Sequence, residues 1–391
     1  MKITRVECIP ISMPLKKPIK LPNVTITCLN TLFLAITADD GLVGYAESGD
    51  TSSWYRGESQ ASMTAMISDI FAPRILLGED PSNIEKIVGM MDQLARDNNQ
   101  AKALVDCALH DLKGKALGVP VYSLLGGRTR EKIPLGWVLS AGEPEKVAEL
   151  AIQVRDNGFS AVKLKVGRHT FNTDVATVRE VRAALGPEAK IILDANGSWN
   201  YEQALTTMKR LDQYNLSFME QPLAHQYRDS LAKLRERVNT PIYADEGAQE
   251  LGDLREIAER RSADGVVLKI QKVGGLVKAQ RFLAACRMYD IPVFCSTLIG
   301  SGVESGPSTH LMVANDWACQ FMSESMGPLA IHAAWNSGDI RVDQDLAFGG
   351  QRFSGGFAYP SEGVGFGFEL NQELLAKIHS PGQQHRVAEA Q

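Results

Sequence analysis

The residues of this chain that could do chemistry recur in one kind of place, at the end of a short apolar run. Lys163-Leu164-Lys165 follows Ala161-Val162, Asp194-Ala195-Asn196 follows Lys190 to Leu193, and Glu220-Gln221 follows Leu216 to Met219. Asp245-Glu246 follows Ile242 to Ala244, and Lys269-Ile270-Gln271 follows Gly265 to Leu268. Asp194, Glu220 and Asp245 form a set of oxygen donors without His or Cys, which suits a hard cation such as Mg2+. Lysines flank the set in chain order. A proton next to a carboxylate is too weakly acidic for a free amine to remove near neutral pH. A divalent cation brings an enediolate within reach by offsetting the charge that develops. The working amine must be neutral, so its pKa must fall, and a neighbouring ammonium and a nearby cation both push it that way. Lys165 has Lys163 beside it for this purpose, and Lys269 can return the proton or stabilise the intermediate. Any one acid could simply cap a helix, and any one lysine could be an ion-pair partner. Neither explanation accounts for three acids in register with lysines on both flanks.

These residues meet only if the runs are neighbouring strands. Eight strand candidates follow one another from residue 133: Ile133–Val138, Ala161–Val166, Lys190–Ala195, Leu216–Glu220, Ile242–Ala244, Gly265–Ile270, Val293–Ser296 and Ala318–Met322. Amphipathic helical stretches separate them, at roughly the spacing of one βα unit. The expected fold is therefore α/β, a TIM-like barrel whose polar strand ends gather at one face. An open doubly wound sheet would carry a GxGxxG turn after a strand, and none is present. On a closed barrel the second and sixth strands are roughly opposite, which sets Lys163 and Lys165 across from Lys269. Alternation along a strand keeps Lys163 and Lys165 on one side.

Before the barrel, Thr31–Thr37 reads as a strand ending in a hairpin at Asp39-Asp40-Gly41. Helical periodicity runs from Glu58 to Leu117 and stops at Gly118-Val119-Pro120. The expected division is an α+β domain over 1–127, a barrel over 128–347, and a Gly- and aromatic-rich segment over 348–391. That segment should pack back on the first domain and end in a frayed polar tail after Ser380.

At 391 residues, 44% hydrophobic and 22% charged, the chain is of ordinary globular composition. A formal charge of −5 argues against a nucleic-acid partner. No apolar run is long enough to span a bilayer. Met1 to Val6 alternates like a strand and does not read as a signal peptide. The six scattered cysteines read as reduced thiols, so a cytoplasmic setting is expected.

Several motifs resemble the muconate lactonizing enzyme group of the enolase superfamily over nearly the whole chain. They are AVKLKVG at Ala161–Gly167, LDANGSW at Leu193–Trp199, MEQP at Met219–Pro222, YADEG at Tyr243–Gly247 and GVVLKIQKVGG at Gly265–Gly275. DLKGKALGVPVYSLLGG, from Asp111 to Gly127, resembles that group's junction between capping domain and barrel. The resemblance implies an α+β capping domain over a modified (β/α)7β barrel, and Mg2+ (or Mn2+) on Asp194, Glu220 and Asp245. It also implies that Lys165 is the principal base, that Lys163 tunes it and touches the substrate carboxylate, and that Lys269 works on the opposite face. Asn196 and Glu246 would support them, with Glu246 orienting Lys269. A homo-oligomer is expected by the same analogy.

Glu324 with Gly327-Pro328 resembles the cycloisomerase ending, as does Trp137 to Gly142 the cycloisomerase first strand. Ser323-Glu324-Ser325 lacks the DxD of dipeptide epimerases, and Phe294 to Thr297 lacks the His of mandelate racemase patterns; His310, further on, is expected to be structural. The expected substrate is a small carboxylate, muconate or a relative, with racemisation or epimerisation of an N-substituted amino acid or proline derivative as the alternative. A barrel that only bound a metabolite would have no use for the lysines. In the capping loops, Arg56 or Lys20 is expected to meet a distal carboxylate, while Trp54 or Tyr55 closes the pocket against water.

Overall fold

The structure is a computed structural model that describes residues 1–20, 24–51, 55, 57–140, 142–320, 322–380 and 382–390. The chain starts with three antiparallel strands, β1 (Ile3–Lys20), β2 (Thr25–Ala38) and β3 (Val43–Glu47). The β2–β3 turn forms at Asp39-Asp40-Gly41, where Gly41 takes φ +85°, a value that favours glycine. From Leu32 to Ile36 β2 is buried at every residue, because both its faces are covered. Leu32, Leu34 and Ile36 pack in one core with Met63, Phe71 and Leu104, while Phe33 and Ala35 pack in another with Val303 and Leu346.

The helical stretch after Glu58 is less regular than its periodicity suggests. Gln60–Ala65 passes into a π-helical segment, Met66–Leu76, that contains Pro73, a residue with no N–H to donate. Ile84–Leu94 and Asn99–Leu117 follow, and the latter ends at Gly118 in the left-handed region (φ +69°). Asp106 on that last helix has no exposed surface. Its carboxylate accepts the N–H groups of Leu276 (2.6 Å) and Val277 (3.3 Å), the first residues of the helix Leu276–Met288. The N-terminal region is thereby fastened to the barrel by a helix cap supplied from a distant part of the chain.

Strand β4 (Ile133–Pro134) precedes a seven-stranded parallel sheet in sequential order: β5 (Gly136–Leu139), β6 (Ala161–Lys165), β7 (Lys190–Asp194), β8 (Phe218–Glu220), β9 (Ile242–Ala244), β10 (Gly265–Leu268) and β11 (Val293–Cys295). Ala161, Ile192, Phe218, Tyr243, Val267, Phe294 and Met322 form one apolar layer. Gly136 occupies the matching place on β5, where a Cβ would lie 2.6 Å from the Met322 methyl carbon.

Two expected strands differ. Ile133–Val138 is divided, because β4 pairs with Phe357–Tyr359 of the C-terminal segment and only β5 enters the parallel sheet. Pro134 cannot donate to a ladder, so it suits this edge position. The expected eighth strand, Ala318–Met322, is absent among the described residues. Ser323 alone bridges β11 and the start of β5: its N–H donates to Pro134 O and its carbonyl accepts from Gly136 N–H, both at 2.9 Å. The tail also departs from expectation, since Arg386–Glu389 is not frayed but pairs with β1 as an edge strand. Arg386 and Ala388 on one face are half-buried, while Val387 and Glu389 on the other are exposed, as suits an edge strand with one solvated face. Among the described residues no helix is long and apolar enough to cross a membrane.

Replacing Asp106 with Ala should lower the unfolding free energy by about 1–3 kcal/mol in urea titrations, because two buried N–H groups lose their acceptor.

Candidate active site

Along a strand, the second residue after each inward side chain points inward again. Two residues beyond the apolar layer stand Lys163, Asp194, Glu220, Asp245, Lys269, Ser296 and Glu324. The polar layer is therefore the next storey of the barrel interior, and Lys165 and Asn196 rise one storey further. Registers Lys165↔Asp194 and Asp194↔Glu220 set the neighbours side by side.

Lys163 Nζ lies 2.6 Å from Glu220, 2.9 Å from Glu324 and 3.8 Å from Asp194, with 1% of its side chain exposed. Lys165 Nζ donates to Asp194 Oδ2 at 2.5 Å and to Asn196 Oδ1 at 3.1 Å. On the other flank Lys269 Nζ donates to Asp245 Oδ2 at 2.6 Å and to the Tyr55 hydroxyl at 2.9 Å. That hydroxyl donates to both Asp245 oxygens, at 2.9 and 3.0 Å. Ser296 Oγ donates to Glu324 Oε2 at 2.9 Å. Lys163, Lys165, Lys269, Asp194, Asn196, Glu220, Glu324 and Tyr55 line one cavity of about 280 Å3.

Burial lowers the pKa of Lys163, but Glu220, Glu324 and Asp194 outweigh it and hold the amine above its ordinary value. Burial likewise lowers Lys269, and Asp245 and Glu220 reverse the balance. Lys163 is thus held as the ammonium that the sequence sets beside Lys165, and both amines stay charged because each stands among more acids than amines. Burial raises the Asp245 carboxyl, yet Lys269 and Lys272 hold it well below the usual range. Of the three acids only Glu220 is raised: burial raises it and the Asp194 charge adds to that. Burial, with Asp245 next, pushes Glu246 up to about 7.

Among the described residues no three acid, imidazole or thiol groups converge as a ready cation cage, since each acid is drawn to an ammonium. The donor set still fits a hard cation. Both Glu220 oxygens are buried and receive no well-directed hydrogen bond, despite the Lys163 ammonium 2.6 Å away. Asp194, Glu220 and Asp245 supply only oxygen.

Other expected residues fall elsewhere. Glu246 accepts from Asn196 Nδ2 at 3.2 Å, whereas Lys269 is oriented by Asp245 and Tyr55. Strand geometry explains this: Glu246 follows Asp245 directly and so leaves on a different side. Lys20 is exposed and does not line the cavity; its backbone N–H donates to Ser140 Oγ at 3.2 Å, and Lys17 and Ile19 reach the cavity instead. Tyr55 lines the cavity, and its hydroxyl is bonded to Asp245 and Lys269. Trp54 and Arg56 lie outside the described residues. His310 is buried away from the cavity, with its Nδ1 accepting Tyr122 N–H at 3.1 Å and its ring stacked on Tyr122.

Sequence reasoning missed Lys272 and Gln221. Lys272 is fully buried and donates to Asp245 Oδ1 (2.8 Å), Asp245 O (2.7 Å) and Val267 O (2.6 Å). It stands one helical turn after Lys269 in Ile270–Val273, a spacing that brings both amines to one acid. Gln221, at φ +37°, accepts Asp245 N–H (2.9 Å) and Gly247 N–H (3.1 Å). Its place directly after Glu220 was the available signal.

Residues 3–126 match the N-terminal domain family of mandelate racemase / muconate lactonizing enzyme, and residues 146–374 match the Enolase C-terminal domain-like family. The chain belongs to the muconate lactonizing enzyme subgroup of the enolase superfamily. Within this superfamily it is 30% identical over 379 residues to the N-succinyl-L-Arg/Lys racemase of Bacillus cereus, covering 97% of this chain and 98% of the relative. It is 31% identical over 377 residues to muconate cycloisomerase 1 of Rhodococcus opacus, covering 96% and 98%. The crystal structure of a mandelate racemase/muconate lactonizing family protein from Azoarcus sp. EbN1 superposes with a TM-score of 0.94 at 54% identity, covering 99% of this chain and 100% of that one.

Two outcomes are expected, one for this enolase-superfamily site and one for His310 outside it. Lys272→Met should cost about 3–5 kcal/mol in chemical denaturation, because a buried carboxylate loses a partner. Burial pushes His310 down to about 3 from an ordinary 6.5, so its neutral form stabilises fully above 6.5 and that contribution drains away as pH falls toward 3. His310→Gln should flatten that part of the stability–pH curve.

Proposed function

We propose that this isomerase removes and returns a proton α to the carboxylate of a small molecule, through an enediolate, with Lys165 and Lys269 as the proton carriers. The observation that carries the reading is the placement of these two amines on one cavity, at the two outer acids of the triplet: Lys165 at Asp194 and Lys269 at Asp245. A carbon held over Glu220 then has an amine on each face. Enolase superfamily members use Mg2+, and Asp194, Glu220 and Asp245 would hold it (or Mn2+) here. When bound, the cation supplies positive charge that offsets the charge developing on the substrate carboxylate.

Lys163, behind the triplet, presents its ammonium to the substrate carboxylate. Asn196 orients Lys165, and Tyr55 with Asp245 orients Lys269, so each amine is held in one position before substrate arrives. Transfer in one direction needs one of Lys165 and Lys269 neutral and the other charged, and return reverses the roles. In this reading 1–127 caps the site, 128–347 carries the chemistry, and 348–391 returns to the cap; the assembly is a cytoplasmic homo-oligomer.

One overall reaction that this step can serve is cycloisomerisation of muconate or a related small carboxylate, supported by Glu324 beside Lys163 and by the Rhodococcus opacus relative. In that reaction one amine delivers the proton and the other steadies the enediolate. A second reading, racemisation or epimerisation of an N-substituted amino acid or proline derivative, is favoured by Lys269 being as fully placed as Lys165, and by the Bacillus cereus relative.

Incubation with Mg2+ and a candidate acid in D2O, read by NMR, tests the proton transfer and separates the readings. A racemase exchanges the α-position from both faces, and a cycloisomerase deuterates one face of its product. Lys165→Ala and Lys269→Ala should each lower turnover by about 10^2–10^4-fold, and EDTA should abolish it reversibly. Full activity in either variant would overturn the assignment.

A further inference from the structure

Beyond the lysines and acids the cavity lining becomes mostly apolar, with Lys17, Asp50, Ser140, Gln153 and Thr297 as its further polar members. Its outer wall is built from Ile19 and Ile26 of the β1–β2 arm, Trp137 of β5, and Leu298, Met326 and Trp335. The two indole rings lie 4.7 Å apart between centroids, tilted by 42°. Phe159 backs both, edge-on at 5.0 Å to Trp137 and 6.0 Å to Trp335. Aromatic groups packed in this way present a wall that is rigid before any ligand arrives. The strand arm is tied down on the same side. Besides the Lys20–Ser140 bond, Arg168 donates to the Val24 carbonyl at 3.3 Å and to the Thr25 hydroxyl at 3.1 Å. Trp335 follows the helix Gly327–His332, which itself follows Glu324, so one segment supplies both a site acid and part of the apolar wall.

We propose that this wall is the subsite for an uncharged aromatic or branched aliphatic group, so that the substrate is a carboxylic acid bearing an apolar substituent on, or one N-acyl link away from, the carbon that loses its proton. The proposal rests on the proton-transfer reading above and narrows its substrate class. A second carboxylate would have to give up water against indole and aliphatic surface. Lys17, a cation at the rim, is exposed, so its charge is screened by solvent. An apolar group gains by releasing water from the same surfaces. The subsite thus favours the N-substituted amino acids over muconate.

The test is α-proton exchange by the Mg2+-loaded protein in D2O. The probes are N-acetyl-L-phenylalanine, N-acetyl-L-leucine, N-acetyl-L-glutamate and N-acetyl-L-lysine, with cis,cis-muconate turnover measured in parallel. The apolar pair should exceed the charged pair, and muconate, by at least about tenfold in kcat/KM. Trp335→Ala should raise KM for N-acetyl-L-phenylalanine by about tenfold or more with a smaller change in kcat, and Trp335→Phe should recover most of the loss. A charged probe or muconate used as well as the apolar pair overturns the subsite alone, as does an unchanged KM in a folded Trp335→Ala protein. Absence of reaction with every acid tested overturns the proton-transfer reading and this proposal together.

Discussion

Asp194, Glu220 and Asp245 are carboxylates with at most 1% of their surface exposed, and ionised groups persist in such a place only where opposite charge reaches them. Most of the surrounding structure can be understood as meeting that requirement. Lys163 and Lys165 arrive from one side of the triplet, and Lys269 and Lys272 from the other. Glu324, which accepts a hydrogen bond from Ser296, holds Lys163 from behind. Charges packed at these distances in a poorly polarisable interior interact far more strongly than they would in water. A buried array of this kind is a costly way to stabilise a fold, which makes it more intelligible as a device for moving protons.

The array needs a floor that excludes water and a ceiling that admits substrate. The floor is the apolar layer from Ala161 to Met322, with Phe218 stacked on Tyr243 at 4.1 Å and Phe294 edge-on to Phe218 at 5.3 Å. Because strand side chains alternate, the same seven positions that seal the barrel also dictate which residues stand in the storey above. Packing and chemistry are thus two consecutive readings of one periodicity. The ceiling comes from outside the barrel: the β1–β2 arm contributes Ile19 and Ile26, and Tyr55 reaches down to Asp245.

Departures from the expected fold have local physical causes. Pro134 cannot donate to a parallel ladder, so the first expected strand is split and its beginning pairs with Phe357–Tyr359. Ser323 completes with one residue the contact expected of a whole strand, its hydroxyl adding a 2.9 Å bond to Cys295 O. Arg386–Glu389 looks like a polar tail in the sequence because it is held by backbone pairing with β1 and buries no side chain fully. The sequence sets an ammonium at Lys163 beside Lys165 but not what keeps it charged. In three dimensions Glu220 and Glu324, residues 57 and 161 positions away, outweigh the effect of burial on Lys163.

Alternation of two along short strands, with polar residues at their ends, was enough by itself to indicate the βα rhythm, the acid triplet, and Lys163, Lys165 and Lys269 of the lysines around it. These are properties of period and residue type, which a chain carries before it folds. Only the tertiary structure decided that Lys272 and Tyr55 share Asp245, that Lys17 and Ile19 rather than Lys20 face the cavity, and that Trp137 and Trp335 form one wall. Each of those depends on where a turn or a helix start directs a side chain. That direction is set by contacts between segments far apart in sequence, which no local pattern records.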